Sequence, residues 1–207
     1  MKKPTFLRER KLVRKGYNVV GVDEVGCGCL AGPVVAAAVE LPFSVRISLI
    51  RDSKLLSAHQ REQLFLKFLE RRLPFGVGIA SVLEIEKLNI RRAGILAMER
   101  AVLAFSEMLH ENEKIFLLTD AWRLPDLPWS QEGIIHGDRK VKSIAAASII
   151  AKVIRDHLMG EYDAQYSGFF FGKHKGYGTA LHQAMLKKLG HSPLHRRSFL
   201  KKFALAP

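Results

Sequence analysis

Two short apolar runs in this chain end on an aspartate, and a third leads directly into one. Asn18-Val19-Val20-Gly21-Val22-Asp23 and Lys114-Ile115-Phe116-Leu117-Leu118-Thr119-Asp120 have the length and composition of buried strands. Gly133 to His136 reads as a further short strand that opens into Gly137-Asp138. In open α/β sheets the working crevice lies outside strand ends, so Asp23, Asp120 and Asp138 can converge there. Glu24 is a fourth candidate with a geometric difficulty, because neighbours on a regular strand point to opposite faces. It joins the others only if the strand finishes or bulges at that point, which Gly26 would permit.

The remaining pattern fixes the fold class. A glycine-rich turn over 26–32 and a second apolar strand from Pro33 to Val39 predict a hairpin with a wide loop. Ser57 and Gln60 form a capping-box pair ahead of a helix reaching about Arg71. Phe75 to Val82 reads as a third strand. Residues 91–111 predict a long helix with Ile95, Met98, Val102, Phe105 and Leu109 on one stripe. An alanine-rich helix over 143–160 and a last helix over 179–189, closed by Gly190, complete the series. Strands that first pair and then alternate with helices give an α/β domain with a mixed sheet flanked by helices. The glycine-rich, aromatic stretch 164–178 divides the expected catalytic domain, 1–166 with its basic segment 1–16, from a small C-terminal helical lobe, 167–207.

Charge is informative because it is uneven. The net charge is +13, with +6 in residues 1–16, +8 in residues 164–207, and −1 across everything between. Cationic ends around a middle that supplies acids suit a protein that binds a phosphate backbone beside an anionic pocket. A single strand-end aspartate is ordinarily just a turn residue. Four gathered carboxylates repel one another in a poorly solvated site, and a divalent cation relieves that repulsion. Hard oxygen ligands select Mg²⁺ or Mn²⁺, and two such ions roughly 3.5–4 Å apart support phosphodiester hydrolysis. No apolar run approaches the roughly 20 residues of a membrane span, and the N-terminus lacks the apolar stretch of a secretory signal, so a cytoplasmic protein is expected. Cys27 and Cys29 are too close for an unstrained disulfide and too few for a zinc site, which leaves reduced thiols.

Several segments closely resemble ribonuclease HII. They are Val22-Asp23-Glu24-Val25-Gly26, Leu30 to Ala38, Asp52-Ser53-Lys54-Leu55, Asn89-Ile90 before the helix carrying Ala97-Met98, and Gly137-Asp138 with Ser143 to Val153 and Arg155-Asp156. His174-Lys175-Gly176-Tyr177-Gly178-Thr179, His195-Arg196 and Ser198-Phe199 continue the series in family order. The resemblance implies a ribonuclease H-like fold with a five-stranded mixed sheet and a C-terminal helical extension. It implies Asp23, Glu24, Asp120 and Asp138 as catalytic metal ligands, with Asp156 outside the quartet as a structural acid. It further implies an endonuclease acting as a monomer on RNA/DNA hybrids and on duplex DNA carrying single ribonucleotides. Such an enzyme cuts 5′ of the ribonucleotide and leaves 3′-OH and 5′-phosphate ends. Tyr177 then resembles the family's tyrosine that stacks at the RNA–DNA junction, and Lys54 with the basic C-terminal residues would hold phosphates. The ribonucleotide must be read through its 2′-OH. No motif identifies a protein partner such as a sliding clamp.

One position departs from the family. Gly26-Cys27-Gly28 stands where the family usually has Gly-Arg-Gly, the loop that reads the 2′-OH. Cysteine removes a cation and five donors, which predicts a weaker grip on the junction. The alternative is an impaired or non-catalytic binder of the same duplexes. Cys27 itself could be either an alkylation-sensitive thiol beside the cleft or an inert one. A smaller departure is Ala121 after Asp120, where the family tends to have glycine.

Overall fold

The computed structural model describes residues 3–43, 50, 52–109 and 113–201. Its sheet contains β1 (Asn18–Val25), β2 (Val34–Glu40), β3 (Phe75–Ala80), β4 (Ile115–Asp120) and β5 (Ser130–Ile134), in the order β3-β2-β1-β4-β5. The pairs β1–β2 and β2–β3 are antiparallel, whereas β1–β4 and β4–β5 are parallel. This is the mixed, five-stranded α/β sheet expected from the sequence. Eight helices surround it among the described residues: α1 (Leu7–Val13), α2 (Ala58–Glu70), α3 (Val82–Leu88), α4 (Ile90–Ser106), α5 (Lys142–Gln165), α6 (Phe171–His174), α7 (Ala180–Leu189) and α8 (Arg197–Leu200).

Strand alternation assigns the two faces. Val20 and Val22 of β1 bury against α4 through Ala97, Met98, Ala101, Val102 and Phe105. Gly21 faces α5, and the close approach there needs a glycine. A Cβ at Gly21 would lie 2.2 Å from the Ser143 carbonyl carbon and 2.5 Å from the Ile144 nitrogen. Ala145, Ala146 and Ala147 extend this small-residue contact and pack with Ala37, Val39 and the α2 side chains Leu64 and Phe68. The Ser57–Gln60 capping box at the start of α2 is formed as predicted. On the expected α4 stripe, Met98, Val102 and Phe105 are buried and Ile95 and Leu109 are partly buried. The helix itself closes at Ser106, and the last two residues of the predicted 91–111 span lie outside the described residues.

Other elements also differ from the sequence expectations, α5 among them, which runs on to Gln165. β3 stops at Ala80, and α3 begins at Val82 because Ser81 and Glu84 form a complete capping box. β5 lies at Ser130–Ile134, earlier than the apolar stretch 133–136. It is an edge strand paired on one side with β4, so polar residues serve it well; Gln131 there exchanges two hydrogen bonds with the Leu124 backbone, at 2.6 and 2.8 Å. Finally, the basic N-terminal segment contains α1. Its one acid, Glu9, is 1% exposed and accepts hydrogen bonds from the Ser143 backbone nitrogen and hydroxyl, at 3.0 and 3.1 Å. Val141 provides no side-chain cap for α5, so Glu9 satisfies a free N–H of its first turn from a distant helix.

Candidate active site

Because β1, β4 and β5 are parallel, their C-terminal ends meet at one edge of the sheet. β4 ends on Asp120. β5 passes through His136, at φ 56°, into a 3-10 turn over Gly137–Arg139 that carries Asp138. The Gly137 backbone nitrogen donates to Asp120 Oδ1 at 2.6 Å, which ties these two acids together. β1 resolves the difficulty at Glu24 in an unexpected way. The strand neither stops nor bulges there, since its pairing with β2 runs through Val25↔Val35. Its pairing with β4 ends earlier, at Val22↔Thr119. By that register Asp23 lies level with Asp120, the last residue of β4, and Glu24 lies one residue beyond it, on the opposite face. Asp23 turns toward α5, where the Ser148 hydroxyl favours its charged form. Glu24 turns toward α4, where a Cβ on Gly94 would sit 3.8 Å from its Cγ.

The electrostatics show that the four acids share one site. Burial, together with the charges of Glu24, Asp120 and Asp138, holds the Asp23 carboxyl well above the ordinary aspartate range. Burial and Asp120 likewise raise Glu24, and burial and Asp120 raise Asp138. Lys54 opposes the rise at both Glu24 and Asp138, so its side chain lies near the acids. Its backbone is held by Asp52, which accepts from the Lys54 backbone nitrogen at 3.0 Å and pairs with Arg139 at 3.0 Å. Glu24 Oε2 is buried and has no hydrogen-bond partner. A repelling carboxylate set with an orphaned oxygen fits a divalent cation. Among the described residues, no group of three or more acid, histidine or cysteine side chains is arranged to hold a metal ion as it stands.

The loop between β1 and β2 sits beside these acids, held by two buried arginines whose backbone-anchoring role no pattern in the sequence announces. Arg155 donates to Pro33 O, Ala31 O and Lys175 O at 2.9, 3.1 and 2.8 Å. Arg196 donates to Gly32 O through Nε and Nη2, at 2.9 and 2.7 Å, and to Cys27 O at 3.3 Å. Both side chains are 0% exposed. Asp156, although adjacent to Arg155, pairs instead with Lys152 at 2.7 Å and Arg61 at 3.6 Å. Gly28 is exposed at the loop tip. Tyr177 is 37% exposed, with Lys152 Nζ 5.1 Å and the Arg155 guanidinium 5.9 Å from its ring centre. Its segment is docked on the same loop, because Gly176 O accepts from Leu30 N at 2.8 Å. The arginines lie inside recognisable motifs, but nothing in a linear sequence says that a guanidinium will be spent on backbone carbonyls.

The geometry also decides between the two expectations for Cys27. Its thiol donates toward Glu24 Oε1 at 3.5 Å. Burial and the Glu24 charge push its pKa up, so the nucleophilic thiolate is scarce at neutral pH. We expect alkylation of Cys27 by iodoacetamide at pH 7.5 to be at least about tenfold slower than that of a free cysteine. Labelling as fast as glutathione, followed by peptide mapping, would refute this. Cys29 is buried, with its Sγ 3.7 Å from Lys175 O.

A sheet of this order, with acids gathered where its parallel strands end, defines a hydrolase of the ribonuclease H type. The Ribonuclease HII family model matches residues 20–202. A ribonuclease HII of Dehalococcoides mccartyi is 46% identical over 95% of this chain and 92% of its own length. One from Desulfitobacterium hafniense is 50% identical over 94% of this chain and 74% of its own length. The crystal structure of the ribonuclease H2 from Pyrococcus horikoshii OT3 superposes with a TM-score of 0.68 at 25% identity, covering 90% of this chain and 96% of that one. The chain belongs to the ribonuclease HII family, whose members are endoribonucleases acting on RNA/DNA hybrids. Among the described residues, no helix is long and apolar enough to cross a membrane.

Proposed function

We propose that this protein cuts the RNA strand of RNA/DNA hybrids and also cuts duplex DNA on the 5′ side of single embedded ribonucleotides, leaving 3′-OH and 5′-phosphate ends. The observation that carries this reading is the acid cluster beside a glycine loop with Gly28 exposed and the partly exposed Tyr177, with Glu24 Oε2 buried and without a hydrogen-bond partner. Asp23, Glu24, Asp120 and Asp138 are the residues that would hold two Mg²⁺ or Mn²⁺ ions. When bound, these ions activate a water and neutralise charge on the phosphodiester. The chain's own residues do the rest. Gly26, Cys27 and Gly28 present backbone groups to the 2′-OH, Tyr177 stacks at the junction, and Lys54 holds a phosphate close to the acids. The lobe over 167–207 supplies Tyr177 to a catalytic domain over 1–166. We place the enzyme in the cytoplasm as a monomer.

Cleavage of a labelled DNA duplex containing one ribonucleotide, with Mg²⁺, with Mn²⁺ and with chelator, tests the reading. All-DNA duplex and RNA/DNA hybrid serve as comparisons. A single metal-dependent cut 5′ of the ribonucleotide is expected. Cys27 favours a second reading, an impaired binder, which predicts binding of the same duplex with no cut. On the first reading, Cys27→Arg tightens duplex binding and steepens the dependence of log Kd on log salt by about one unit, as one added phosphate contact should. An unchanged slope would remove Cys27 from the account of substrate affinity.

A further inference from the structure

Three histidines, His174, His182 and His195, lie buried together under the Tyr177 segment and take no part in the site described above. The rings of His174 and His182 stack with centroids 4.1 Å apart, and His182 and His195 meet Nε2 to Nε2 at 3.0 Å. Their hydrogen bonds allow only one arrangement of protons. His182 Nδ1 faces Tyr177 O at 2.9 Å, a carbonyl, so the His182 proton must sit on Nδ1. His182 Nε2 is then an acceptor, and His195 must donate to it from its own Nε2. That leaves His195 Nδ1 as the acceptor for the Ser192 backbone nitrogen and hydroxyl, both at 2.9 Å. His174 closes on itself: its Nδ1 accepts from Gly176 N at 3.1 Å, and its Nε2 donates to Phe169 O at 2.8 Å. All three rings are neutral, and burial pushes His182 down to about 4 and His195 down to about 3.

We propose that the directed chain Ser192→His195→His182→Tyr177 O is a positioning device for substrate, fixing the backbone that carries the Tyr177 ring at the mouth of the site. This rests on the reading of Tyr177 as the junction contact. Tyr177 O accepts from both His182 Nδ1 and Thr179 N, the latter at 2.8 Å, and Tyr177 N donates to His174 O at 2.9 Å. The segment therefore has its peptide groups on both sides of the ring fixed by this cluster. On the opposite side, a Cβ on Gly176 would meet Ala31 O at 2.3 Å, and Ala31 forms a bridge with His195. The histidine chain thus holds the tyrosine segment and the glycine loop in one register, and its effect falls on binding rather than on the chemical step.

The test compares His182→Asn with His182→Gln in the full chain, cutting a DNA duplex with one ribonucleotide. An asparagine amide nitrogen reaches the Nδ1 position and keeps the bond to Tyr177 O. A glutamine amide oxygen reaches the Nε2 position and accepts from His195 but loses Tyr177. His182→Gln should raise KM about tenfold, and His182→Asn less than about threefold, with kcat within about twofold for both. In a Tyr177→Ala chain, His182→Gln should raise KM no further. Equal changes for the two variants, a loss confined to kcat, or a full tenfold effect in the Tyr177→Ala chain would overturn the proposal. Tyr177→Ala alone tests the underlying reading, which fails separately if KM is unmoved. Should the His182 variants not fold, nitrogen NMR of the unaltered protein decides. His182 carrying its proton on Nδ1, with His174 and His195 carrying theirs on Nε2, supports the chain, and any other tautomer of His182 overturns it.

Discussion

Replacing Asp23 with asparagine is expected to abolish cleavage, by about a thousandfold or more, and yet to make the metal-free protein more stable. The activity loss follows from removing one carboxylate of a set that must hold the cations against the scissile phosphate. The gain in stability follows from the environment of the same group. Asp23 is 4% exposed and faces Glu24, Asp120 and Asp138, so its pKa in the fold lies above the unfolded value. A group raised in this way contributes stability below its unfolded pKa, and that contribution is lost as pH rises through the folded value. At pH 7.5 without metal, a carboxyl at this position therefore costs stability, and a neutral amide of the same shape avoids that cost. Thermal unfolding in chelator should show a Tm higher by several degrees for Asp23→Asn. Added Mn²⁺ should raise the Tm of the parent more than that of the variant. A variant that is less stable than the parent in chelator would show that repulsion at Asp23 is already relieved by the fold.

The second large effect is expected at Arg155. Its guanidinium is fully buried and satisfies three backbone carbonyls, on Ala31, Pro33 and Lys175, from two separate segments. Gly26 admits it, since a Cβ there would stand 2.4 Å from Arg155 Nε. Arg155→Leu leaves those carbonyls without donors in a site too closed for easy hydration. The unfolding free energy should fall by about 3–5 kcal/mol, read from urea denaturation. The variant should also bind the ribonucleotide-containing duplex more weakly, because the loop over 26–33 and the segment bearing Tyr177 lose their common anchor. A loss under about 1 kcal/mol would mean that water replaces the guanidinium.

Much of the fold and of the acid set is legible in the amino-acid sequence. Apolar runs such as Asn18–Asp23 and Lys114–Asp120 mark buried strands on local grounds, and an aspartate at the end of each run is local too. The Ser57–Gln60 capping box and the apolar stripe of α4 are equally short-range. The Ser81–Glu84 box carries the same signal for α3, but the apolar residues on either side of it make Phe75 to Val82 look like one strand. β5 escapes its expected position because an edge strand paired on one side needs no apolar run, so Ser130, Gln131 and Glu132 offer no period to read.

The sequence by itself determined which chemistry is present: four carboxylates, a small flexible loop with a cysteine in it, and an exposed-type tyrosine between glycines. Only the tertiary structure decided how these meet. Glu24 reaches the site because the pairing of β1 with β4 ends two residues short of it, a fact about strand lengths in a neighbour far along the chain. The Cys27 thiolate is disfavoured because the thiol is buried and Glu24 lies against it. Glu9, Arg155 and Arg196 take their roles from partners between 20 and 169 residues away, and His182 meets His195 from 13 residues away. Hydrogen bonds and Coulomb forces depend on distance in space, and where partners lie far apart along the chain no local pattern of residues encodes that distance.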